Sequence, residues 1–230
     1  MSLLDIDLGL GGYGPQLFVG AGLTLQVWGV SVLLGTLIGL IGALARLHRS
    51  RILRGLAATY VNILRGVPDL LVVFLLYYGG SATLNWVFGR YIEISAFLSG
   101  AIALALVFGA YTTEIFRGAI QAVPAGQREA AQALGMKPFM VFLLVVLPQA
   151  WRYALPAFGS QSIILIKGTS LISIIGLEEL MRKGKIVVNA TAAPFNVYLA
   201  IAAIYLSITM VLVFTLKLAE RRLARGYGAR

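Results

Sequence analysis

Four long stretches of this 230-residue chain contain no charged side chain. These stretches are residues 8–45, 70–89, 94–113 and 186–216. Each is long enough for the roughly 20 residues of helix that cross the hydrocarbon core of a bilayer. The bilayer core offers no water to backbone amides and carbonyls, so a spanning segment must satisfy these groups itself, and continuous apolar runs favour helices over a barrel. The pattern predicts an all-α membrane protein.

The overall composition agrees with that prediction. The chain is 59% hydrophobic and 12% charged, whereas a soluble domain usually carries about twice that charged fraction. With no internal repeat or linker, the sequence predicts one transmembrane domain over residues 1–230, with a cytoplasmic loop at 119–138. The five predicted spans lie near residues 18–45, 67–88, 96–118, 139–166 and 195–217.

The fourth predicted span differs from the others because it contains Pro148, Arg152 and Pro156. Proline removes a helical hydrogen bond and kinks or breaks a helix, so we do not expect one straight segment. The following region, 168–194, is apolar at first and then charged from Glu178 onwards. We interpret it as a partial or re-entrant helix followed by an external loop.

Basic residues are concentrated after the first, third and fifth predicted spans, whereas the N-terminal tail carries only Asp5 and Asp7. Because cytoplasmic loops carry an excess of Lys and Arg, this distribution predicts an external N-terminus and a cytoplasmic C-terminus. The net charge of +10 would also suit nucleic-acid binding, but the basic residues flank spans, so we expect no nucleic-acid partner. The basic residues that follow the first, third and fifth spans are Arg46, Arg49, Arg51, Arg54, Arg65, Arg117, Arg128, Lys137, Lys217, Arg221, Arg222, Arg225 and Arg230.

Catalytic and metal-binding motifs are missing from the sequence. It has no cysteine, which excludes disulfides, zinc–thiolate sites and iron–sulfur clusters. His48 is the only histidine and lies among arginines in a predicted cytoplasmic loop. No Walker loop or nucleophile–base pair is present. We therefore expect no catalytic residue, no metal and no ATP hydrolysis by this chain itself.

Small residues recur at four-residue spacing in the first predicted span, at Ser31, Gly35, Gly39 and Ala43. Such a ladder lets another helix approach closely. The neighbour is either a helix of the same chain or one of another subunit. Between the first two spans, Gly66 and Pro68 indicate a joint where one helix stops and the next begins, with Asp69 favourable at the new N-terminus.

Several polar residues lie in or beside predicted spans, where they usually have a structural or functional reason. Glu114 and Arg117 are close enough to pair on one helix face. They form either a structural ion pair or a contact between Glu114 and a charged substrate group. Arg152 has a structural interpretation, since an arginine can bind the carbonyls that two prolines free.

A second polar group surrounds Gly168, where the fourth span is expected to break. Lys167, Thr169 and Ser170 lie at this break. Broken helices that face a cavity expose backbone dipoles and suit polar ligands. These three residues are candidates for a substrate pathway, with local helix structure as the alternative.

A polar segment at residues 123–137 separates the third and fourth spans and carries the most specific motif. It contains Glu-Ala-Ala-x-x-x-Gly at 129–135, followed by nine residues, Val145, one residue and Leu-Pro at 147–148. This pattern resembles the cytoplasmic signature of permease subunits of bacterial ATP-binding-cassette importers. Segments 65–71, 109–118, 152–156 and 167–171 are similar to the polar amino-acid branch, especially the permeases for histidine, lysine, arginine and ornithine and for opines. The resemblance covers roughly residues 20 to 222.

The resemblance implies a type I importer fold in which the polar segment forms a coupling helix. This helix would dock on a cytoplasmic ATPase, with Glu129 at the contact and Gly135 permitting the turn. The coupling residues implied are Glu129, Ala130, Ala131, Gly135 and Pro148. The chain departs from the family at two positions near the expected substrate path: the family often has Asn where Ser160 or Gln161 stands, and Asp where Gly168 stands. The candidate pathway residues are Glu114, Gln161, Lys167, Thr169 and Ser170.

The same resemblance implies the partners and the location. We expect a bacterial inner membrane, a second identical or homologous permease, an external or periplasmic substrate-binding protein and a dimer of ATPase subunits. ATP and magnesium would be used by that ATPase, with no cofactor on this chain. The implied function is import of a cationic amino acid or an opine by alternating access. Since a cationic side chain needs an acid and Glu114 is the clear acid within the spans, Glu114 is the candidate for recognising it.

Two other classes of function fit a helical chain with these charges. A secondary transporter or channel subunit would transport without an ATPase and would not need the 129–148 motif. A membrane anchor for a cytoplasmic complex would use the polar segment without any pathway. The polar break at 167–170 and the expected kink in the fourth span argue mildly against an anchor.

Overall fold

The structure is a computed structural model that describes residues 12–90 and 93–224. Asp5, Asp7, Arg225 and Arg230, which contribute to the predicted orientation, lie outside the described residues. The helices are α1 (Gly14–Leu47), α2 (Arg51–Gly66), α3 (Asp69–Phe74), α4 (Gly80–Phe88), α5 (Ala96–Ala122), α6 (Ala125–Ala133), α7 (Pro138–Val141), α8 (Leu147–Gly168), α9 (Leu180–Thr191) and α10 (Pro194–Ala224). π-Helical turns at Leu75–Gly79 and Phe142–Val146 join α3 to α4 and α7 to α8, and a 3₁₀ helix at Thr169–Ile175 extends α8.

Five segments are long and apolar enough to cross a membrane, and four of them overlap the charge-free runs of the sequence. They are Gly14–Leu47, Asp69–Phe88, Ala96–Ala122, Pro138–Ile175 and Pro194–Leu223. The predicted all-α class is confirmed in the described residues. The fourth segment differs most from its predicted bounds, because the helix does not stop near residue 166 but continues in 3₁₀ form to Ile175.

The fourth segment is irregular where its prolines predicted irregularity. The π-helical turn ends at Val146, immediately before Leu147 and Pro148 open α8. The proline ring collides with the carbonyl one turn earlier in a regular helix, and the wider π turn is a common way to accommodate this. Pro156 lies inside α8. Gly168 does not break the helix, since it marks the change from α to 3₁₀ geometry.

The ladder of small residues on α1 packs against α5 of the same chain. The Ser31 hydroxyl donates to the Ala101 carbonyl at 3.1 Å, and the Thr112 hydroxyl donates to the Gly35 carbonyl at 3.1 Å. A Cβ at Gly35 would meet Phe108, and one at Gly39 would overlap the Thr112 side chain. The close approach of α1 and α5 therefore requires these small residues, and the intrachain interpretation of the ladder is confirmed.

Helix α2 shows that part of the basic region after the first span is structured. The Tyr60 hydroxyl donates to the Leu106 carbonyl of α5 at 2.6 Å, and the Arg65 guanidinium lies 5.1 Å from the centre of the Tyr111 ring. α2 ends at Gly66, and Pro68 precedes the first residue of α3. The predicted joint is thus present.

The prediction of a loop in the second half of 168–194 is wrong, because this region contains helix α9. Its external position stays a prediction. The charged residues hid a helical pattern: Leu180, Gly184 and Val187 follow one face and are buried. Gly20 of α1 lies against this helix, since a Cβ there would be 2.9 Å from the Leu180 Cα. The burial of this face explains why a sequence that looks like a polar loop is helical.

Candidate functional site

Helix α6 occupies the centre of the polar segment and ends in a tight turn at Gly135. The Gly135 N–H donates to the Gln132 carbonyl at 2.9 Å, and the Met136 N–H donates to the Ala131 carbonyl at 3.2 Å. Gly135 has φ of +78°. These two bonds with a left-handed glycine form a Schellman motif. A side chain at this position would strain the backbone, so the glycine of the sequence motif has a local structural reason.

Two side-chain contacts attach α6 to the helices on either side of it. The Arg128 Nη2 atom donates to the Ile120 carbonyl at the end of α5, at 2.8 Å. In the first turn of α8, the Gln149 amide donates to Gln127 Oε1 at 3.3 Å and to the Val145 carbonyl at 3.0 Å. Because α6 is bound to both neighbours, a displacement of α6 would move the ends of two spans together.

The predicted coupling residues occupy different surfaces. Glu129 and Ala130 are exposed on α6, whereas Ala131 is buried against the hydrophobic cluster that includes Val141 and Val146. Pro148 is not on α6 but in the first turn of α8. Of this set, Glu129, Ala130, Gly135 and Pro148 are exposed, and only Ala131 is buried within the fold.

Leu134 belongs to the same surface and was missed by the sequence reasoning. Its side chain is 84% exposed beside the turn at Gly135. An isolated exposed leucine needs no explanation on its own, but this one adjoins Glu129 and Ala130 on a helix held between two spans. The sequence feature that could have indicated Leu134 is that it is the one large apolar residue between Val123 and Met136.

Glu114 lies at the centre of a charged cluster near the end of α5. One carboxylate oxygen accepts from Arg46 Nε at 3.0 Å, and the other accepts from Arg117 Nε and Nη2 at 2.9 and 2.7 Å. Arg117 also donates to Gln121 at 2.7 Å. The ion pair expected from the spacing is present, and Arg46 adds a link to α1. Since both oxygens are already bound, this geometry favours the structural interpretation of Glu114.

The other candidate pathway residues lie along α8 and its 3₁₀ extension. Lys167 is exposed and Gln161 is partly exposed, whereas Thr169 is fully buried and donates to the Ile166 carbonyl at 2.7 Å. The Ser170 hydroxyl donates to the Lys167 carbonyl at 2.8 Å. Lys167 thus leaves its ammonium group available to a ligand, while Thr169 caps its own helix.

The exposed face of α8 continues along the helix from Lys167. Ser160, Ile164 and Lys167 are all exposed and follow one helix face at spacings of four and three residues. This face therefore combines a hydroxyl, an apolar side chain and a cation, which are groups that an amino acid can contact.

Glu179 is a buried acid that the sequence reasoning missed. Its side chain has 0% exposure and accepts from the Thr24 and Tyr205 hydroxyls, each at 3.3 Å. It also caps α9 by accepting from the Arg182 N–H at 3.0 Å. Burial raises the pKa of the Glu179 carboxyl. These contacts join α1, α9 and α10 at one point.

The acidic and imidazole groups do not assemble into a metal site. In residues 12–90 and 93–224, no three His, Asp or Glu side chains lie together where they could hold a metal ion. Glu114 is bound by arginines and Glu179 by hydroxyl and amide donors. The candidate features that remain are the α6 surface and the exposed face of α8.

Comparison with known proteins gives consistent matches over most of the chain. The family described as "Binding-protein-dependent transport system inner membrane component" matches residues 35–225. The octopine transport system permease protein OccQ of Rhizobium meliloti is 40% identical, over 96% of this chain and 95% of its own. The arginine ABC transporter permease protein ArtQ of Haemophilus influenzae is 38% identical, over 91% and 94%.

A further relative is the histidine/lysine/arginine/ornithine transport system permease protein HisQ of Salmonella typhimurium, 38% identical over 94% of this chain and 96% of its own. Among solved structures, a chain of an amino acid ABC transporter with histidines superposes with a TM-score of 0.80 at 37% identity, covering 91% of this chain and 95% of that chain. A chain of the MetNI methionine ABC transporter superposes with a TM-score of 0.75 at 20% identity, covering 97% and 99%. The second likeness concerns the fold alone.

Proposed function

The chain belongs to the family of inner membrane components of binding-protein-dependent transport systems, and we propose that it is the transmembrane permease of an ATP-driven importer of amino acids or opines. The observation that supports this most strongly is the α6 surface. Glu129, Ala130 and Leu134 are exposed on a helix that is bonded to the ends of α5 and α8. Such a helix suits the transfer of motion between a soluble partner and two spans.

The partner of α6 is a cytoplasmic dimer of ATP-binding-cassette ATPase subunits. Glu129, Ala130 and Leu134 contact the ATPase, and Gly135 turns the chain back towards the membrane. When ATP closes the ATPase dimer, the shift of α6 passes through Arg128 and Gln149 to α5 and α8 and tilts these spans, a rigid-body transition that gives alternating access. ATP and magnesium are bound and used by the ATPase, while this chain holds no cofactor and is not an enzyme.

The protein lies in a bacterial inner membrane as a multi-pass protein, with its N-terminus outside and its C-terminus in the cytoplasm. The charged groups support this orientation, because Arg46 and Arg117 lie near the C-terminal ends of α1 and α5, and Arg128 of α6 contacts the same end of α5. A second permease subunit, identical or homologous, completes the pathway. An external or periplasmic binding protein delivers the substrate.

The proposed substrate is a cationic amino acid or an opine, as the names of three relatives indicate for those proteins. Gln161, Lys167 and Ser170 of this chain belong to the substrate pathway, and the exposed ammonium group of Lys167 suits the carboxylate that every amino acid carries. Glu114 and Thr169, which the sequence also placed on the pathway, support the helices that form it. The acid that binds a cationic side chain then comes from elsewhere in the assembled transporter.

Uptake into proteoliposomes by the complex co-purified with this chain tests the proposal. We expect uptake of labelled arginine to require ATP and the ATPase partner, with arginine and histidine competing better than glutamine. Glu129→Lys should abolish uptake and weaken ATPase association, because it reverses the charge on the exposed α6 face. Uptake that proceeds without any ATPase would instead assign the chain to the secondary transporters.

A further inference from the structure

An apolar cavity of about 100 Å³ lies between α1, α5 and α8, on the side of these helices nearest the polar segment. Leu40, Phe116, Ile120 and Trp151 contribute to its lining, and the exposed surface inside is almost entirely carbon. Thr36 also lines it, but its hydroxyl donates to the Val32 carbonyl at 2.6 Å. A cavity without free polar partners does not hold ordered water, so it suits a hydrocarbon group.

A larger cavity of about 390 Å³ shares the Ile120 wall and reaches α6. Apolar residues of α1 and α7, such as Leu44 and Val141, form one part of its lining, while His48, Arg128 and Gln132 form the other. Ile120 therefore stands between a purely apolar cavity among the helices and a partly polar cavity at the helix ends. That sequence of environments matches an amphiphile with one hydrocarbon chain and one polar head group.

The polar end of this space selects a negative charge. Arg128 uses Nη2 to donate to the Ile120 carbonyl at 2.8 Å, while its buried Nε has no hydrogen-bond partner within the described part of the chain. An unsatisfied buried donor on a cation is costly, and an anionic acceptor relieves that cost. His48 Nδ1 accepts from the Ser50 N–H at 3.0 Å, which leaves the other ring nitrogen to donate.

The surrounding charge favours the same ligand. Arg49 and Arg51 follow His48 along the chain, and among the described residues no acid lines either cavity. Glu129 is next to Arg128 on α6 but is exposed, and Glu114 of α5 already has both oxygens bound to Arg46 and Arg117. Basic pockets between transmembrane helices on the cytoplasmic side are suited to phospholipid head groups. The bilayer also supplies this ligand at high local concentration, which a soluble anion with a hydrocarbon tail would lack.

We propose that the two cavities form a binding site for one anionic phospholipid, with its phosphate at Arg128 and a short segment of one acyl chain in the apolar cavity between α1, α5 and α8. Arg128 belongs to α6, so the lipid bridges the α6 attachment and the membrane-embedded ends of α1 and α5. The proposed orientation places the site in the cytoplasmic leaflet, but the site itself depends only on the cavities and their charges.

Native mass spectrometry of the purified transporter complex tests this site with two probes, phosphatidylglycerol and phosphatidylcholine of identical acyl chains. We expect one phosphatidylglycerol to bind about tenfold more tightly than phosphatidylcholine, because both carry the phosphate but the choline ammonium of phosphatidylcholine is repelled by Arg128 and the neighbouring arginines. Arg128→Gln should remove this preference. Arg54→Gln removes the same charge from an exposed position on α2 that lines neither cavity, and it should leave the preference unchanged.

A second variant keeps the test decisive if Arg128→Gln fails to assemble with the ATPase. Ala150 lines the apolar cavity from α8, so Ala150→Leu fills the space for the acyl chain and should weaken binding of both lipids. Equal binding of the two lipids to the wild type, equal losses in Arg128→Gln and Arg54→Gln, or unchanged binding in Ala150→Leu would each overturn the proposal. If an acidic side chain of the ATPase bound Arg128 instead of a lipid, the wild-type complex would bind the two lipids equally.

Discussion

At the scale of single residues, the carboxylates of Glu114 and Glu179 are held by different kinds of donor. Glu114 is bound by the guanidinium groups of Arg46 and Arg117, and its side chain is 20% exposed. Glu179 is fully buried and is bound by the Thr24 and Tyr205 hydroxyls and by a backbone amide. The first arrangement joins α1 to α5, and the second joins α1, α9 and α10.

The Glu114 cluster gives the first prediction. Glu114→Gln leaves two guanidinium groups without their counterion, so we expect a loss of about 1–3 kcal/mol in unfolding free energy. Uptake of arginine and glutamine should then fall equally. Arg46→Gln should be milder, because Glu114 keeps Arg117. Thermal unfolding and competitive uptake by the purified transporter measure both effects, and a selective loss of arginine uptake at unchanged stability would place Glu114 in the substrate pathway.

The buried acid gives a second prediction with a control at the adjacent position. Glu179→Ala removes a buried carboxylate that accepts from the Thr24 and Tyr205 hydroxyls and from the Arg182 N–H, which should cost about 1–3 kcal/mol of stability. Glu178 is 55% exposed and pairs with Lys183 at 2.6 Å, and exposed pairs contribute only about 0–1 kcal/mol. Glu178→Ala should therefore barely change the unfolding temperature. Similar shifts in the two variants would contradict the assigned role of the buried network.

At the scale of helices and turns, the sequence predicted those elements whose formation depends on residues close together in the chain. The spans in α1, α5 and α10 follow from uninterrupted apolar runs, and the turn at Gly135 follows from a fixed motif. Helix α9 could not be predicted, since part of its burial depends on Gly20 of α1, which is distant in sequence. The Arg46 contact with Glu114 likewise joins positions 68 residues apart, which spacing along one helix cannot reveal.

The turn after α6 provides the prediction at this scale. Gly135→Ala places a Cβ at φ of +78°, which costs about 1–2 kcal/mol in the left-handed region. We expect weaker ATPase association and reduced uptake. Gly126 of α6 has open space where a Cβ would stand and no positive φ, so Gly126→Ala should be neutral or slightly stabilising. Pull-down of the ATPase with each variant compares them, and equal losses would argue against a requirement for the left-handed turn.

At the scale of the whole molecule, the proposed orientation puts α6 and α9 on opposite sides of the membrane. The chain has no cysteine, so single-cysteine variants can be labelled without background. Ala133 of α6, Asn189 of α9 and Leu206 of α10 are all exposed in the structure. A membrane-impermeant maleimide should label Asn189→Cys in intact spheroplasts but Ala133→Cys only after permeabilisation, because basic cytoplasmic loops set the orientation. Leu206→Cys, in the middle of a span, should stay unlabelled in both states. Labelling of Ala133→Cys in intact spheroplasts would reverse the orientation and remove α6 from reach of a cytoplasmic ATPase.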